Sequence, residues 1–345
     1  MDDIRISTVT PVYSGEKYLD KLVHKLDALR VKLIDDNCHL ILSESIFVVD
    51  GAIDQSLTVL KKLELKYDWV RVVVLSKNYG QHPATEAGIL YSSGDWVVTI
   101  DEDLQHDVDS ILEMLATAIV NNSDIVYALP LNKAHKSVFR DNASILYKKI
   151  VSTLTGNKTI RLFNSFRIIR GSIARTAAAI CGSDMYYDVS LSWFTNSIST
   201  FELNLVDYRY SETNNSGYTL RSLLSHARRL FVTSQSNIIR VFSLVGLFSF
   251  LIGTGYGLFI IINALSGQYN SFPGWSSLIS SILFFGGLIS FSIGIMLEYM
   301  GVVMGQVQGK PTYFVIDRSK DDQLMSWSVK SVSYTHLTLP TIYSV

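Results

Sequence analysis

Two carboxylates one residue apart, at the end of an apolar run, carry the first chemical signal in this sequence. Trp96-Val97-Val98-Thr99-Ile100 is a β-branched stretch of the kind that forms a strand buried on both faces, and Asp101-Glu102-Asp103-Leu104-Gln105-His106 follows directly. Ligands of open α/β sheets bind outside the carboxyl ends of the strands, which is where Asp101 and Asp103 fall. Such a pair can hold a hard divalent cation that also takes diphosphate oxygens. Asp-x-Asp also occurs in plain turns, so the surrounding elements decide its meaning.

Those elements alternate. Ile4 to Thr10 reads as a first strand stopped by Pro11, and Ser14 as the cap of a helix reaching Arg30, with Leu19, Leu22, Val23 and Leu26 on one face. Strands are expected at Ser45–Asp50, Val70–Ser76, Asp124–Leu129 and Phe166–Arg170, and helices at 55–65, 81–93, 108–121, 137–155 and 184–197. The βαβα rhythm predicts a mostly parallel, doubly wound sheet over the first 210 or so residues.

Composition then shifts. No Asp, Glu, Lys, Arg or His occurs from Val241 to Leu297, where two apolar stretches, about 242–265 and 277–300, flank Gly267–Trp275. Each reaches the roughly 20 residues that a membrane-crossing helix needs. Arg221, Arg228, Arg229 and Arg240 precede this hairpin and Lys310, Arg318 and Lys320 follow it, while its loop has no charge. The positive-inside rule then places the loop outside and the N-terminal domain in the cytoplasm. The resulting organisation is a cytoplasmic α/β domain at 1–215, an amphipathic juxtamembrane helix within 216–240, two membrane helices within 241–306 and a cytoplasmic tail at 307–345. Glu298 falls near the inner end of the second span, where an interfacial position suits it.

Over 345 residues the net charge is −1, which argues against nucleic acid as the partner, and the mean hydropathy of +0.24 fits a globular domain plus apolar spans. Cys38 and Cys181 lack metal-site spacing and are too few for a disulfide framework, which favours a reducing compartment. The acidic start Met1-Asp2-Asp3 does not read as a signal peptide.

An ordered set of motifs now stands out. It runs from Thr10-Pro11-Val12-Tyr13 through Val48-Val49-Asp50-Gly51, Ser76-Lys77-Asn78-Tyr79-Gly80-Gln81-His82 and Asp101 to His106. It continues with Ser165-Phe166-Arg167-Ile168 and Ser216-Gly217-Tyr218, and ends in the hairpin with its Pro273-Gly274-Trp275 loop. In this order, over about residues 4–320, the chain resembles membrane-anchored family 2 glycosyltransferases, the group of dolichol-phosphate mannose synthases and bacterial polyprenyl-phosphate glycosyltransferases. The resemblance implies a GT-A fold (a nucleotide-binding α/β domain) followed by a two-helix transmembrane hairpin. It also implies inverting transfer of a sugar from a UDP- or GDP-linked donor to a polyprenyl phosphate such as undecaprenyl phosphate, at the inner membrane and for cell-surface glycan. A homo-oligomer is compatible with such an anchor.

By that resemblance Asp103 ligates Mg²⁺ or Mn²⁺, and Asp101 belongs to the metal shell or the ribose. Pro11, Tyr13, Asp50 and Lys77 line the nucleotide-sugar pocket, and Gln105, with His106 beside it, follows the metal motif closely enough to touch phosphate or acceptor. Lys133, Lys136 and Arg140 supply charge for the acceptor phosphate, and Arg167, on the strand beside the acceptor, acts on the same group as a catalytic residue. Plainer readings stand beside these: Asp50 as a turn cap, His82 as a structural helix-start histidine, and the basic residues as a solvated helix face. Val49 and Ala52 depart from the family's usual Asp and Ser, as do Leu129-Pro130, Ser211 and Asn214 from their usual counterparts. Two other functions stay open: a transferase with a different lipid acceptor, and a non-catalytic membrane protein that retains the fold.

Overall fold

In the computed structural model the described residues are 3–35, 39–130, 162–182, 185–203, 275–309, 311–317 and 320–321, with Gly255, Ile262 and Ser266. Lys133, Lys136, Arg140, the helix expected at 137–155, the 216–240 segment, nearly all of the first apolar stretch and residues 322–345 lie outside them.

The chain runs β1 (Ile4–Val12), α1 (Leu19–Asp35), β2 (Leu40–Val49), α2 (Ser56–Lys66), β3 (Val70–Val74), α3 (Gln81–Tyr91), β4 (Trp96–Thr99), α4 (Ser110–Val120) and β5 (Ile125–Pro130). After it come β6 (Arg167–Arg170), α5 (Gly171–Ile180), α6 (Tyr187–Leu191), β7 (Ile198–Leu203) and the long α7 (Trp275–Val307). Seven strands form one sheet in the order β3-β2-β1-β4-β6-β5-β7. All neighbours are parallel except β6, which runs antiparallel to both β4 and β5. The mostly parallel sheet expected from the motif rhythm is therefore present, with one reversed strand directly beside the strand that carries the carboxylates.

Side-chain alternation explains the layering. Phe47 and Val49 point into a core shared with Leu19, Leu22 and Leu26 of α1 and Leu60 of α2. Ile46 and Val48 point the other way, onto Ala84 and Ala87 of α3. Further along the same second face, Val97 and Ile169 pack with Ala174 and Ala177 of α5.

Several boundaries differ from the sequence expectation. Pro11 does not stop β1, which continues to Val12. The last β4 partner of β1 is Val9, so Pro11 lies beyond that ladder and its missing N–H breaks no bond there. Strand β2 begins at Leu40, not Ser45, because the polar residues that hide it are satisfied inside the sheet. Glu44 accepts from Ser7 Oγ and from Ser93 N and Oγ and pairs with Arg71, while Ser43 Oγ donates to the Ile6 carbonyl at a register shift. Helix α1 starts at Leu19 and runs to Asp35. The helix expected at 184–197 shrinks to α6, and the chain then forms β7, a short edge strand that mixes Ser, Thr and Glu with Ile198, Phe201 and Leu203.

Within α7, Phe285–Gly305 is 21 residues with mean hydropathy 1.7, long and apolar enough to cross a membrane, and none of it is buried in the protein. The tail expected from residue 307 onward is not wholly separate. Residues 311–317 return to the sheet, where Val315 bridges antiparallel to Leu75 just past β3.

Candidate active site

The carboxyl ends of β1, β2 and β4 meet at one edge of the sheet, and three acidic side chains organise the turns that leave them. Glu102 is one of the three, although the sequence motif gave it no role. Its carboxylate accepts from the backbone N–H groups of Tyr13 (3.0 Å) and Ser14 (3.1 Å), tying the end of β4 to the end of β1. Gly15 lets this approach happen, since a Cβ there would sit 2.6 Å from Glu102 Oε2. Tyr13 itself is left 40% exposed beside the turn.

Asp50, at the end of β2, is 3% exposed. One oxygen accepts from Tyr79 N (2.6 Å) and the other from Gly80 N (2.7 Å). These bonds shape the loop between β3 and α3, in which Gly80 holds φ +100. Burial raises the Asp50 pKa above the ordinary carboxylate value, and the two N–H donors only partly offset it. Each oxygen of Asp50, the residue expected beside base or ribose, thus accepts one backbone N–H of this loop. Lys77 stands in that turn, its ammonium 5.1 Å from the centre of the Tyr79 ring.

Asp101 differs. Its two oxygens accept from the neutral donors Gln81 Nε2 and Ser165 Oγ, each at 2.7 Å. The side chain keeps 27% of its surface exposed. The Asp101 N–H donates to His106 Nδ1 at 3.3 Å, which assigns the ring proton to Nε2, 3.9 Å from Asp101 Oδ2. His106 is fixed by stacking on Phe166 with centroids 4.6 Å apart. Asp103 is 8% exposed and accepts from Gln105 N at 3.3 Å across Leu104, whose φ of +61 is left-handed. A left-handed leucine costs on the order of 1 kcal/mol, and its buried side chain holds it there. His82 packs on Tyr186, with centroids 4.3 Å apart, and Tyr186 stacks in turn on Phe163.

This donor set fits a hard cation. Asp101 and Asp103 leave one short turn, and the oxygens of Asp101 meet amide and hydroxyl donors instead of a lysine or arginine, so its negative charge is not cancelled by its hydrogen bonds. Among the described residues no three His, Cys, Asp or Glu side chains converge as a ready-made metal cage. A magnesium-type site needs only one or two carboxylates when phosphate oxygens complete it.

Arg167 lies deeper than the other residues of the set. Its guanidinium is 2% exposed and bonds Asp188 and the Asn164 carbonyl, 5.0 Å from the Tyr187 ring centre. Tyr127 Oη donates to the same Asp188 at 2.8 Å. Desolvation acts to lower the Arg167 pKa, yet the adjacent Asp188 charge outweighs it and raises it further. On β6 this side chain forms an ion pair with Asp188 inside the core. Its partner sits on another element, 21 residues away, which strand alternation cannot reveal. Gln81 and Ser165 likewise belong to the motifs, and it is their shared contact with Asp101 that gives them a role.

Pro11, Tyr13, Asp50, Lys77, Asp101, Asp103 and Gln105 thus all lie at or just past the carboxyl ends of four neighbouring strands, β3, β2, β1 and β4. Arg167 lies beneath them, and the basic trio lies outside the described residues.

Comparison with known proteins agrees with this arrangement. The chain is 24% identical over 315 residues to the uncharacterized glycosyltransferase YkcC of Bacillus subtilis, a match covering 90% of this chain and 93% of that one. It is 24% identical over 315 residues to the prophage-derived bactoprenol glucosyl transferase of Shigella flexneri, covering 90% and 97%. It is 25% identical over 313 residues to the undecaprenyl-phosphate 4-deoxy-4-formamido-L-arabinose transferase of Klebsiella pneumoniae, covering 90% and 92%. Residues 7–182, just over half of the sequence, match the family described as glycosyl transferase family 2. With its carboxylate motif ending the central strand of a mostly parallel sheet, the chain belongs to glycosyl transferase family 2.

Proposed function

We propose that this protein transfers a sugar from a nucleotide-sugar donor to a polyprenyl phosphate, with inversion at the anomeric carbon. The observation that carries the reading is the Asp101–Asp103 turn: a carboxylate pair at the end of β4, one member held by neutral donors and partly open. The bactoprenol and undecaprenyl-phosphate transferases, similar over about nine-tenths of the chain, support the acceptor class.

The acceptor dictates the chemistry. A phosphate monoester loses its second proton at about pH 6, by analogy with phosphorylated side chains, so its oxygen is largely anionic at neutral pH and needs little general-base help. That oxygen forms a bond to the anomeric carbon from the face opposite the diphosphate, and the bond to the departing diphosphate oxygen breaks with its electron pair. Mg²⁺ or Mn²⁺ on Asp103, with Asp101 in its shell, would supply Lewis-acid neutralisation of that leaving group. The chain's own groups do the positioning. Gln81 and Ser165 hold Asp101 in one rotamer, His106 braces the turn against Phe166, and Glu102 keeps the β1 end, with Tyr13, beside it. Lys77 and the exposed Tyr13 suit the donor's phosphate and base, Gln105 suits phosphate, and Lys133, Lys136 and Arg140 suit the acceptor phosphate.

Helix α7 supports a membrane location, and the flanking arginines and lysines support a cytoplasmic catalytic domain. The test is transfer by detergent-solubilised protein with undecaprenyl phosphate, either metal and a panel of labelled UDP- and GDP-sugars. Metal-dependent entry of label into lipid, lost in Asp103→Ala, is the expected result; transfer that survives Asp103→Ala or needs no phosphate on the lipid overturns the reading.

A further inference from the structure

A short stretch beyond the apolar helix is built into the sheet at the edge nearest the donor loop. The Ser76 N–H donates to the Phe314 carbonyl and the Ile316 N–H to the Val74 carbonyl, both at 2.9 Å. Val315 and Tyr313 pack onto Val73, Leu75, Ala84 and Ala87, and Tyr79 packs into the same cluster. Thr312 Oγ1 reaches the Cys181 carbonyl at 3.4 Å, so the stretch bridges two parts of the domain. Burial raises the Tyr313 phenol pKa, as does the neighbouring negative charge of Glu86 on α3, so this side chain stays a neutral hydroxyl there.

Sheet edges present unpaired backbone groups, and β3 is such an edge. Covering it matters here because Ser76 begins the loop whose next residues are Lys77, Asn78, Tyr79 and Gly80. On its inner side the loop is held by Asp50, through the amides of Tyr79 and Gly80. On its outer side it is held by Phe314 through the Ser76 amide, and Tyr79 packs on the same apolar cluster as Tyr313 and Val315. Ser76 Oγ and Tyr79 Oη close the turn at 3.0 Å. A loop clamped from both sides has one conformation to offer a ligand; with one clamp gone, only a fraction of molecules would present it.

We infer that residues 313–316 are a positioning element of the donor site, holding the 76–80 loop in its binding conformation. The inference rests on reading that loop as donor-facing. Its chemistry is backbone pairing plus apolar packing, and these residues touch no reacting atom.

The test uses the full chain in detergent and the variant Ile316→Pro, which deletes the bond to Val74; Val315→Thr, which keeps shape and removes apolar contact, serves where the proline variant does not fold, as judged by thermal unfolding. Amide hydrogen exchange is followed at Ser76, Tyr79 and Gly80, and affinity is measured for UDP and GDP with Mn²⁺. Faster exchange at all three amides is expected. A rise in the nucleotide Kd of about tenfold corresponds to a binding-competent population reduced to about a tenth, with kcat at saturating donor changed far less. Exchange accelerated at Ser76 alone, with Tyr79 and Gly80 still protected, would make the stretch a mere edge cover and overturn the inference. Loosened amides with unchanged nucleotide affinity would overturn it as well. If the unmodified protein binds neither nucleotide, the donor-site reading fails, and unchanged Tyr79 and Gly80 exchange in the variant still defeats the clamp separately.

Discussion

The turns after β2 and β4 begin alike and end up differently. Each follows a buried parallel strand, and each opens with an aspartate at the carboxyl edge of the sheet. Asp50 is buried and gives both oxygens to backbone N–H groups, so its charge is consumed in fixing a loop. Asp101 gives its oxygens to two neutral side chains, keeps about a quarter of its surface open, and has a second carboxylate two residues on. A carboxylate answered by backbone amides is part of the fold, whereas one steadied by side chains and left partly open can still meet a cation. Topological position made both candidates; the partners separate them.

The strongest way to sharpen the contrast lies beneath the β4 turn. Arg167→Met strands Asp188 in the core and should destabilise the protein by about 3–5 kcal/mol in denaturant unfolding, while Arg167→Met with Asp188→Leu should recover most of that loss. A stable but inactive Arg167→Met would return the residue to the active site. Next comes Asp103→Ala, for which transfer should fall by about 10²–10³-fold, comparable to losing one preorganised charge-stabilising group, with the unfolding midpoint nearly unchanged. The mirror image is expected of Asp50→Ala. Leaving two buried N–H groups without acceptors should cost about 2–4 kcal/mol, with weakened nucleotide binding as the secondary effect. Full stability with abolished turnover in that variant would break the contrast.

The smallest effect is a matter of sign. Burial raises the Asp50 pKa, so its share of stability is complete at acidic pH and is lost as pH rises through its folded pKa, above the ordinary carboxylate range. Glu44 is opposite: burial acts to raise its pKa, but bonds from Ser93, Ser7 and Arg71 prevail and lower it. Its share is complete above the ordinary range and is lost as pH falls through the folded value. Stability differences between the parent and Asp50→Asn, and between the parent and Glu44→Gln, measured across the acidic range, should therefore slope in opposite directions.

Much of this was legible in advance. The elements from β1 to β4 were legible in kind, though not all in their bounds, and β4 most plainly, because a strand buried along its whole length needs near-continuous hydrophobic sequence. Where a polar group is satisfied by a distant partner, the pattern misleads. Glu44 and Ser43 hid the start of β2, whose bonds reach Ser7, Ser93 and Arg71. The ion pair of Arg167 was not legible either, because Asp188 lies on another element, 21 residues along the chain. The metal motif stood out by its spacing, whereas Glu102, placed between its two aspartates, passed as a spacer although it joins two loops. The stretch at 311–317 is too short for any periodicity to mark it as sheet.

That return of the chain also sets a length. Only Gln308 to Thr312 separate the end of α7 at Val307 from Tyr313 on the sheet, and six extended residue steps span at most about 20 Å. The leash is therefore a ruler. However helix α7 tilts, Tyr313 cannot lie further than that from its end, so the distance between the helix end and the β3 edge of the sheet is bounded by the chain itself. Lengthening the leash would give the catalytic domain new reach without altering a single residue of its site.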